Sequence, residues 1–384
     1  MTIRPPAKVN KNAVMQKYHI LASGIDSVNL AVTVSWERTE MFTYFDALKN
    51  KAREINNSFS GIVTDTVDSN IWPFDMKPHG TDGYAWLLIG NDYSMKIGNW
   101  TEPRTRPSIM VEIRSETLWR LGTVPAILRA VGVIESMGTI IKEIKLSRVD
   151  LCCDVMMPRE LWSLELIHHA ATRATDIAPY FKHRKLTGIR IGKGNISARL
   201  YDKPLEISQQ SKKYWMYDIW EINKTPEGMI IIRIEFQLRR QFLKEVGMNA
   251  LEDLFTKDAD AWRYCTEKWL KFQTNPGCHH TQRKDFPWWK IIQNGYRGLQ
   301  DGKPLVREKA FRKDKRHLTQ QMLGLMTSLK AAEMEELGEE MESSVSLDEC
   351  LATYLGELEF NNPKLHRELS QKIMKKRARY HRTK

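Results

Sequence analysis

Three stretches of this 384-residue chain alternate between an apolar row and a row of charged or hydroxyl side chains. They are Arg148-Val149-Asp150-Leu151-Cys152-Cys153-Asp154, Ser197-Ala198-Arg199-Leu200-Tyr201-Asp202-Lys203 and Arg233-Ile234-Glu235-Phe236-Gln237-Leu238-Arg239. Successive strand residues point to opposite faces, so this period of two marks strands and not helices. One face of the first shows Arg148, Asp150 and Asp154, one of the second Arg199, Tyr201 and Lys203, and one of the third Arg233, Glu235, Gln237 and Arg239. If the three share a sheet, that face gathers carboxylates, cations and a tyrosine where a plain scaffold would be neutral. Such a face suits metal-assisted attack on a phosphodiester.

The remaining segments read as elements around these strands. Residues 25–36 alternate as a strand, 42–58 read as an amphipathic helix, and 83–90, 93–98 and 108–113 as a β-meander interrupted by the Pro-rich piece 101–107. A helix over 125–135 keeps Pro125 in its first turn, and 144–155 is the first charged strand. Residues 158–175 read as a helix opened by Pro158 and acids. Residues 187–207 read as a hairpin turning at Gly192-Lys193-Gly194-Asn195. A polar and aromatic excursion over 208–228, loop or helix, leads to the third charged strand at 229–240 and a helix from Gln241 towards Phe255. From Asp258 the pattern is helical, with a loop at 274–287 and a further helix over 316–338. The expected fold class is α+β: two antiparallel-sheet/helix halves followed by a helical C-terminal region. Ile25-Asp26 and Val149-Asp150, each opening a strand, are a faint echo between the halves.

The net charge of +12 makes a polyanion the expected large partner. The excess is uneven: residues 331–360 hold ten acids and no Lys or Arg, whereas the last twenty-one residues hold nine Lys or Arg and one acid. No stretch approaches the ~20 apolar residues of a membrane span, and the opening Met-Thr-Ile-Arg-Pro-Pro lacks the apolar core of a signal peptide. A cytoplasmic protein without a membrane partner is expected. Five cysteines without regular spacing make no disulfide framework. Cys278-His279-His280 lacks a second pair at zinc-finger spacing and reads as loop. Trp288-Trp289, after Arg283-Lys284, reads as core in preference to a base-stacking pair. The basic run 312–316 reads equally as a phosphate-contacting helix start or a solvated face. The run at 375–379 reads as an arm adding non-specific DNA affinity.

The pieces SRVDLCCDV (147–155), GIRIGKGNISARLYDKPLEI (188–207) and RIEFQLRRQFL (233–243) together resemble the replication initiation factor (Rep_trans) family, the rolling-circle initiators of plasmids and phages with the related relaxases of integrative elements. The resemblance covers residues 20–330. It implies a TBP-like or HUH-like sheet in a nicking domain over 19–260, between a flexible arm at 1–18 and a helical extension at 261–330, with the acidic segment and basic tail at 331–384. It implies an enzyme that nicks one strand of origin DNA and leaves a free 3′ hydroxyl for extension. The tyrosine of the family's Tyr-x-Lys element matches Tyr201, which would be joined to the 5′ phosphate. The family's acidic strand positions fall on Asp150, Asp154 and Glu235 as ligands of a divalent ion, and oxygen ligands point to magnesium or manganese over zinc. Expected partners are origin DNA, single-stranded or as a melted hairpin, a host helicase and polymerase, and a second copy of the chain. The His-hydrophobic-His strand of other rolling-circle enzymes is absent; His168-His169 falls in a helical pattern.

The residues support their own reading beside this one. A phenol with a pKa near ~10 needs help to attack at neutral pH. Arg199 and Lys203, two residues either side of Tyr201, are expected to favour the phenolate and hold phosphate oxygens. Lys193 and Asn195 in the turn are expected to touch a phosphate, and Arg148, Arg233 and Arg239 to complete the DNA-binding face. Tyr214 and Tyr217 are rival nucleophiles, although Trp215 and Trp220 mark their segment as one that packs. The acids read otherwise as plain salt-bridge partners. The alternative function is a non-cleaving origin-binding or copy-control protein of the same fold. An RNA-binding sheet would need exposed aromatics on the strand face, where charged rows stand instead.

Overall fold

The computed structural model describes residues 18–64, 71–279, 282–296 and 298. The expected arm before residue 18, the helix at 316–338, the basic runs at 312–316 and 375–379 and the acidic segment lie outside the described residues. The backbone forms two compact units that interleave along the chain. Ser27–Ser147 belongs to one, and residues up to Asp26 with those from Arg148 onward belong to the other.

The first unit holds most of β1 (His19–Trp36), then α1 (Glu40–Glu54), β2 (Phe59–Thr64), β3 (Ile71–Met76), β4 (Trp86–Gly90), β5 (Tyr93–Ile97), β6 (Ile109–Ile113), α2 (Ser115–Leu121), α3 (Thr123–Ser136) and the start of β7 (Thr139–Pro158). Its strands run in the order β2-β3-β4-β5-β6-β1, each pair antiparallel. Alternation decides the buried row: Trp86 and Leu88, Tyr93, Met95 and Ile97, and Ile109, Val111 and Ile113 are all buried. Helix α1 covers the sheet with Phe45, Leu48 and Ala52, spaced three and four apart on one face. The Phe45 ring meets Phe74 of β3 and Trp86 of β4 at 6.3 and 5.6 Å. The expected strand at 25–36, helix at 42–58, meander and helix at 125–135 are all present.

The second unit continues β7 from Arg148 into β8 (Ala170–Thr172), β9 (Ile177–Lys182), β10 (Lys185–Ile191), β11 (Ile196–Asp202), α4 (Lys203–Glu206), α5 (Met216–Ile219), β12 (Met229–Arg239), α6 (Arg240–Glu245), α7 (Leu251–Tyr264), β13 (Leu270–Phe272) and α8 (Pro287–Gly295). Its main sheet runs β7-β12-β11-β10-β9, again antiparallel throughout. The apolar row of the three patterned strands (Val149, Leu151, Val155; Ala198, Leu200; Ile232, Ile234, Phe236, Leu238) is fully buried. Phe236 meets Trp262 of α7 and Trp269 at ring distances of 5.3 and 6.2 Å. At about 1.5–3 kcal/mol per buried aliphatic or aromatic side chain, this row holds the helices onto the sheet. Trp288 and Trp289 are buried at 2% and 0% exposure, in keeping with the core reading.

Four elements differ from expectation, the first being residues 270–272, which form strand β13 inside the stretch read as helical. Residues 158–175 do not form one helix. Strand β7 runs through Pro158, two single 3₁₀ turns follow, and residues 170–172 pair with β13 instead. Tertiary pairing and the Trp162 indole, which donates to the Leu186 carbonyl at 3.1 Å, override the local pattern. The helix after β12 breaks in two because Gly247, at φ 71°, closes α6 in the left-handed conformation. Strand β11 stops at Asp202, one residue short of Lys203. The Asp202 carboxylate accepts from the Leu205 N–H at 3.0 Å and Pro204 sits in the first turn, so α4 begins there.

Candidate active site

Register places the three charged rows on one face. Tyr201 pairs with Arg233 and Arg199 with Glu235 across β11 and β12. Arg233 pairs with Asp154, Gln237 with Asp150 and Arg239 with Arg148 across β12 and β7. Directly opposed residues in antiparallel strands project to the same side. Unlike an ordinary solvent face, this one is covered. Lys203 of α4, Met216 of α5 and Trp220 just beyond it are buried, as are Asp150, Asp154, Arg233 and Glu235. The 208–228 excursion supplies that cover.

Arg233 is the hub. Its Nε donates to Asp154 Oδ1 and its terminal nitrogen to Asp154 Oδ2, both at 2.7 Å, while the other nitrogen donates to Asp26 Oδ1 at 2.7 Å. The Trp220 indole donates to Asp154 Oδ2 at 2.8 Å. Such a bidentate fork fixes both groups and compensates their loss of water.

Around the hub stand Tyr201, Glu235 and Arg199. The Tyr201 hydroxyl donates to Glu235 Oε2 at 2.9 Å, and the Arg199 guanidinium donates to Glu235 Oε1 at 3.3 Å. Arg199 keeps 42% of its side-chain exposure, so it can face both Glu235 and a ligand in solvent. Asp150 accepts both nitrogens of an Arg148 fork, Nε at 2.8 Å. Burial, then repulsion from Asp26 and Asp150, pushes the Glu235 carboxyl above its usual range. Burial likewise raises Asp150, against the pull of Arg148, and Asp26 adds to the rise. The Tyr201 phenol is pushed well above its ordinary value by burial and by the Glu235 charge.

These contacts correct part of the sequence reading. Tyr201 and Glu235 are brought together as expected, and Arg199 stands beside them. Lys203 does not join the phosphate face: it is 2% exposed, binds Glu206 at 2.7 Å and lies 5.4 Å over the Tyr201 ring. Burial lowers its pKa, with Arg233 adding to the fall. The phenolate is therefore disfavoured in this state, contrary to the expectation that Arg199 and Lys203 would promote it. Arg233, expected on DNA, is 0% exposed and cannot touch a phosphate. Asp154, expected as a metal ligand, has both oxygens occupied by Arg233 and Trp220. Lys193 pairs with Asp176 at 2.5 Å. The exposed turn holding Lys193 and Asn195 lies six residues from Tyr201, roughly 20 Å of strand at ~3.3 Å each. Arg148 and Arg239 oppose each other towards that same end. Tyr217 packs edge-on against Trp220 at 5.2 Å, and Tyr214 is 47% exposed.

Asp26 is the site residue that the strand patterns did not single out. Its signal was the Ile25-Asp26 echo of Val149-Asp150. Among the described residues no three His, Cys, Asp or Glu side chains form a ready metal-ligand group, because the carboxylates are turned onto arginines. The donor chemistry nevertheless suits a hard cation. Asp26, Asp150 and Glu235 are oxygen donors; Asp26 adds to the proton affinity of Asp150 and of Glu235, and Asp150 to that of Glu235, a repulsion that a divalent ion would relieve.

No family model and no curated protein matches the chain. Among solved structures, the rolling circle replication initiator protein from Geobacillus stearothermophilus matches at 12% identity and a TM-score of 0.41, over 71% of this chain and 95% of that one. At that score the two backbones diverge too far for residues to be equated between them.

Proposed function

We propose that this chain is a DNA-nicking replication initiator that cleaves one strand by tyrosine transesterification, with Tyr201 as the nucleophile. The observation that carries this reading is the 2.9 Å hydrogen bond from the Tyr201 hydroxyl to a buried carboxylate of raised proton affinity. A raised carboxyl is a better base than an ordinary one, and it already accepts a hydrogen bond from the hydroxyl whose proton must leave. Tyr201 Oη attacks phosphorus, its proton passes to Glu235 Oε2, and the 3′ oxygen leaves and takes a proton from solvent. The products are a 5′-phosphotyrosine and a free 3′ hydroxyl. Arg199, at the mouth of the site, holds a non-bridging phosphate oxygen. Asp154 and Arg233 position Tyr201 from beneath without touching the DNA. A magnesium or manganese ion, when bound, would neutralise charge building on the phosphate, and Asp26, Asp150 and Glu235 would hold it once Arg233 and Arg148 release the first two.

The second reading, a non-cleaving origin-binding protein of this fold, draws on a specific observation: the phenol is hard to ionise, and the neighbouring Lys203 is committed to Glu206. A denaturing gel separates the two. Full-length protein incubated with single-stranded origin DNA and magnesium is expected to yield a shifted covalent species that Tyr201→Phe abolishes while DNA binding persists. An adduct formed equally by Tyr201→Phe would overturn the assignment, and no adduct from either would favour the non-cleaving protein. Origin DNA, a host helicase and polymerase, and a homodimer remain the partners this reading calls for.

A further inference from the structure

We infer that the β9–β10 hairpin carries a seat for one unpaired DNA base beside Tyr201, made by Tyr180 and the gap at Gly188. The inference rests on the nicking reading and names the form of DNA the site takes. Tyr180 of β9 pairs with Gly188 of β10, which pairs with Tyr201 of β11. All three therefore share the face that carries Glu235 and Arg199. A Cβ at Gly188 would stand 3.3 Å from the Leu200 carbonyl oxygen, 3.4 Å from Tyr201 Cβ and 3.7 Å from Tyr180 Cδ2. Gly188 is not among the glycines in the left-handed conformation, so its backbone does not demand glycine. With glycine here, no side chain rises from β10 between the two tyrosines.

Tyr180 is 51% exposed on that face, which leaves it a ring for stacking. Base–aromatic stacking tolerates any base, because every base has a π-face. The hairpin tip supplies charge complementarity to a phosphodiester chain, since Lys182, His183, Arg184 and Lys185 are all exposed. His183 and Arg184 occupy the two turn positions at φ 48° and 61°, where Asn-Gly is the comfortable pair. Two strained positions thus carry basic side chains where small residues would fit better. Arg199 lies on the other side of the slot, next to Tyr201 along β11. A strand entering between these cations would place one base over Tyr180 and its phosphate at Tyr201. A duplex cannot do so, because its bases are already stacked on one another.

The test is fluorescence anisotropy of the full chain with a labelled oligothymidine and with the matching duplex, without divalent ion so that no chemistry intervenes. Tyr180→Ala is expected to weaken single-strand binding by about 5- to 100-fold, the effect of losing one stacked base, with duplex binding unchanged. Tyr180→Leu keeps apolar bulk without a π-face and is expected to lose as much, whereas Tyr180→Phe keeps binding within about twofold. Phe181→Ala, which removes the exposed ring on the opposite face, is expected to change nothing. Wild-type affinity in Tyr180→Ala or Tyr180→Leu, or equal losses in Phe181→Ala, would overturn the inference. Adduct formation is read separately: if Tyr180-dependent binding is present but no adduct forms, the nicking reading fails and the base seat stands.

Discussion

The strands β4, β5 and β6 in one unit and β7, β11 and β12 in the other obey the same period-two rule yet end with opposite characters. In the first set one row is buried and apolar, and the other is half-buried or exposed, as an ordinary one-sided sheet requires. Its charges lie at the surface: Lys96 pairs with Asp82 at side-chain exposures of 37% and 64%. In the second set the polar rows of β7 and β12 are also largely buried while that of β11 is half-buried, and the Arg233–Asp154 pair sits at 0% and 0%. Alternation alone therefore identifies strands. The covering of a polar row marks a candidate site, because buried charge is costly unless it is paired.

That contrast can be broken or sharpened by substitution. Glu235→Gln removes the proposed proton acceptor and is expected to slow adduct formation by about 100- to 10,000-fold in single-turnover assays. Glu112→Gln, on the exposed row of β6, is expected to leave the rate alone. An unaffected rate in Glu235→Gln would remove the base from the mechanism. Arg233→Met strands Asp154 and Asp26 without their shared cation and is expected to destabilise the chain by about 3–5 kcal/mol in urea unfolding. Lys96→Ala, the surface counterpart, is expected to shift stability by less than about 0.5 kcal/mol. Comparable losses in the two would erase the distinction between buried and surface charge.

A smaller effect than that of Arg233→Met belongs to the first turn of α7. The Lys257 ammonium, with the backbone N–H groups of Ala250 and Asn249, holds the Asp253 carboxyl down at about 2. A depressed carboxylate stabilises the fold fully above its unfolded value near ~4 and loses that contribution as pH falls through the folded value. Asp253→Asn is expected to lower stability by about 1 kcal/mol at neutral pH and to flatten the acid dependence between the two values. Urea midpoints at neutral and acid pH check both parts.

Much of the candidate site was legible in sequence because strand side chains alternate strictly: spacing put Asp150, then Arg199 with Tyr201, and then Glu235 on one face of their own strands, and a shared face followed only if the three strands joined one sheet. The cross-strand pairing of Arg199 with Glu235 needed the turn between β10 and β11 to set register. The fate of Lys203 was written locally, in an Asp202 that caps and a Pro204 that starts a helix, and the alternating pattern masked it. Asp26 was harder to read, since more than a hundred residues separate it from Asp150 and no local rule joins them. The burial of Arg233 and Asp154 depends on Met216 and Trp220 folding back over the sheet, a tertiary event that the polar look of 208–228 conceals.

The most direct test of the nucleophile is a peptide map of the DNA-linked protein after trypsin and nuclease digestion. Lys203-Pro204 resists trypsin, so Tyr201 falls in the peptide 200–212, whereas Tyr214 and Tyr217 share 214–224. A nucleotide mass on 200–212 localised to Tyr201 is the predicted result. The same mass on 214–224, with 200–212 unmodified, would contradict the account.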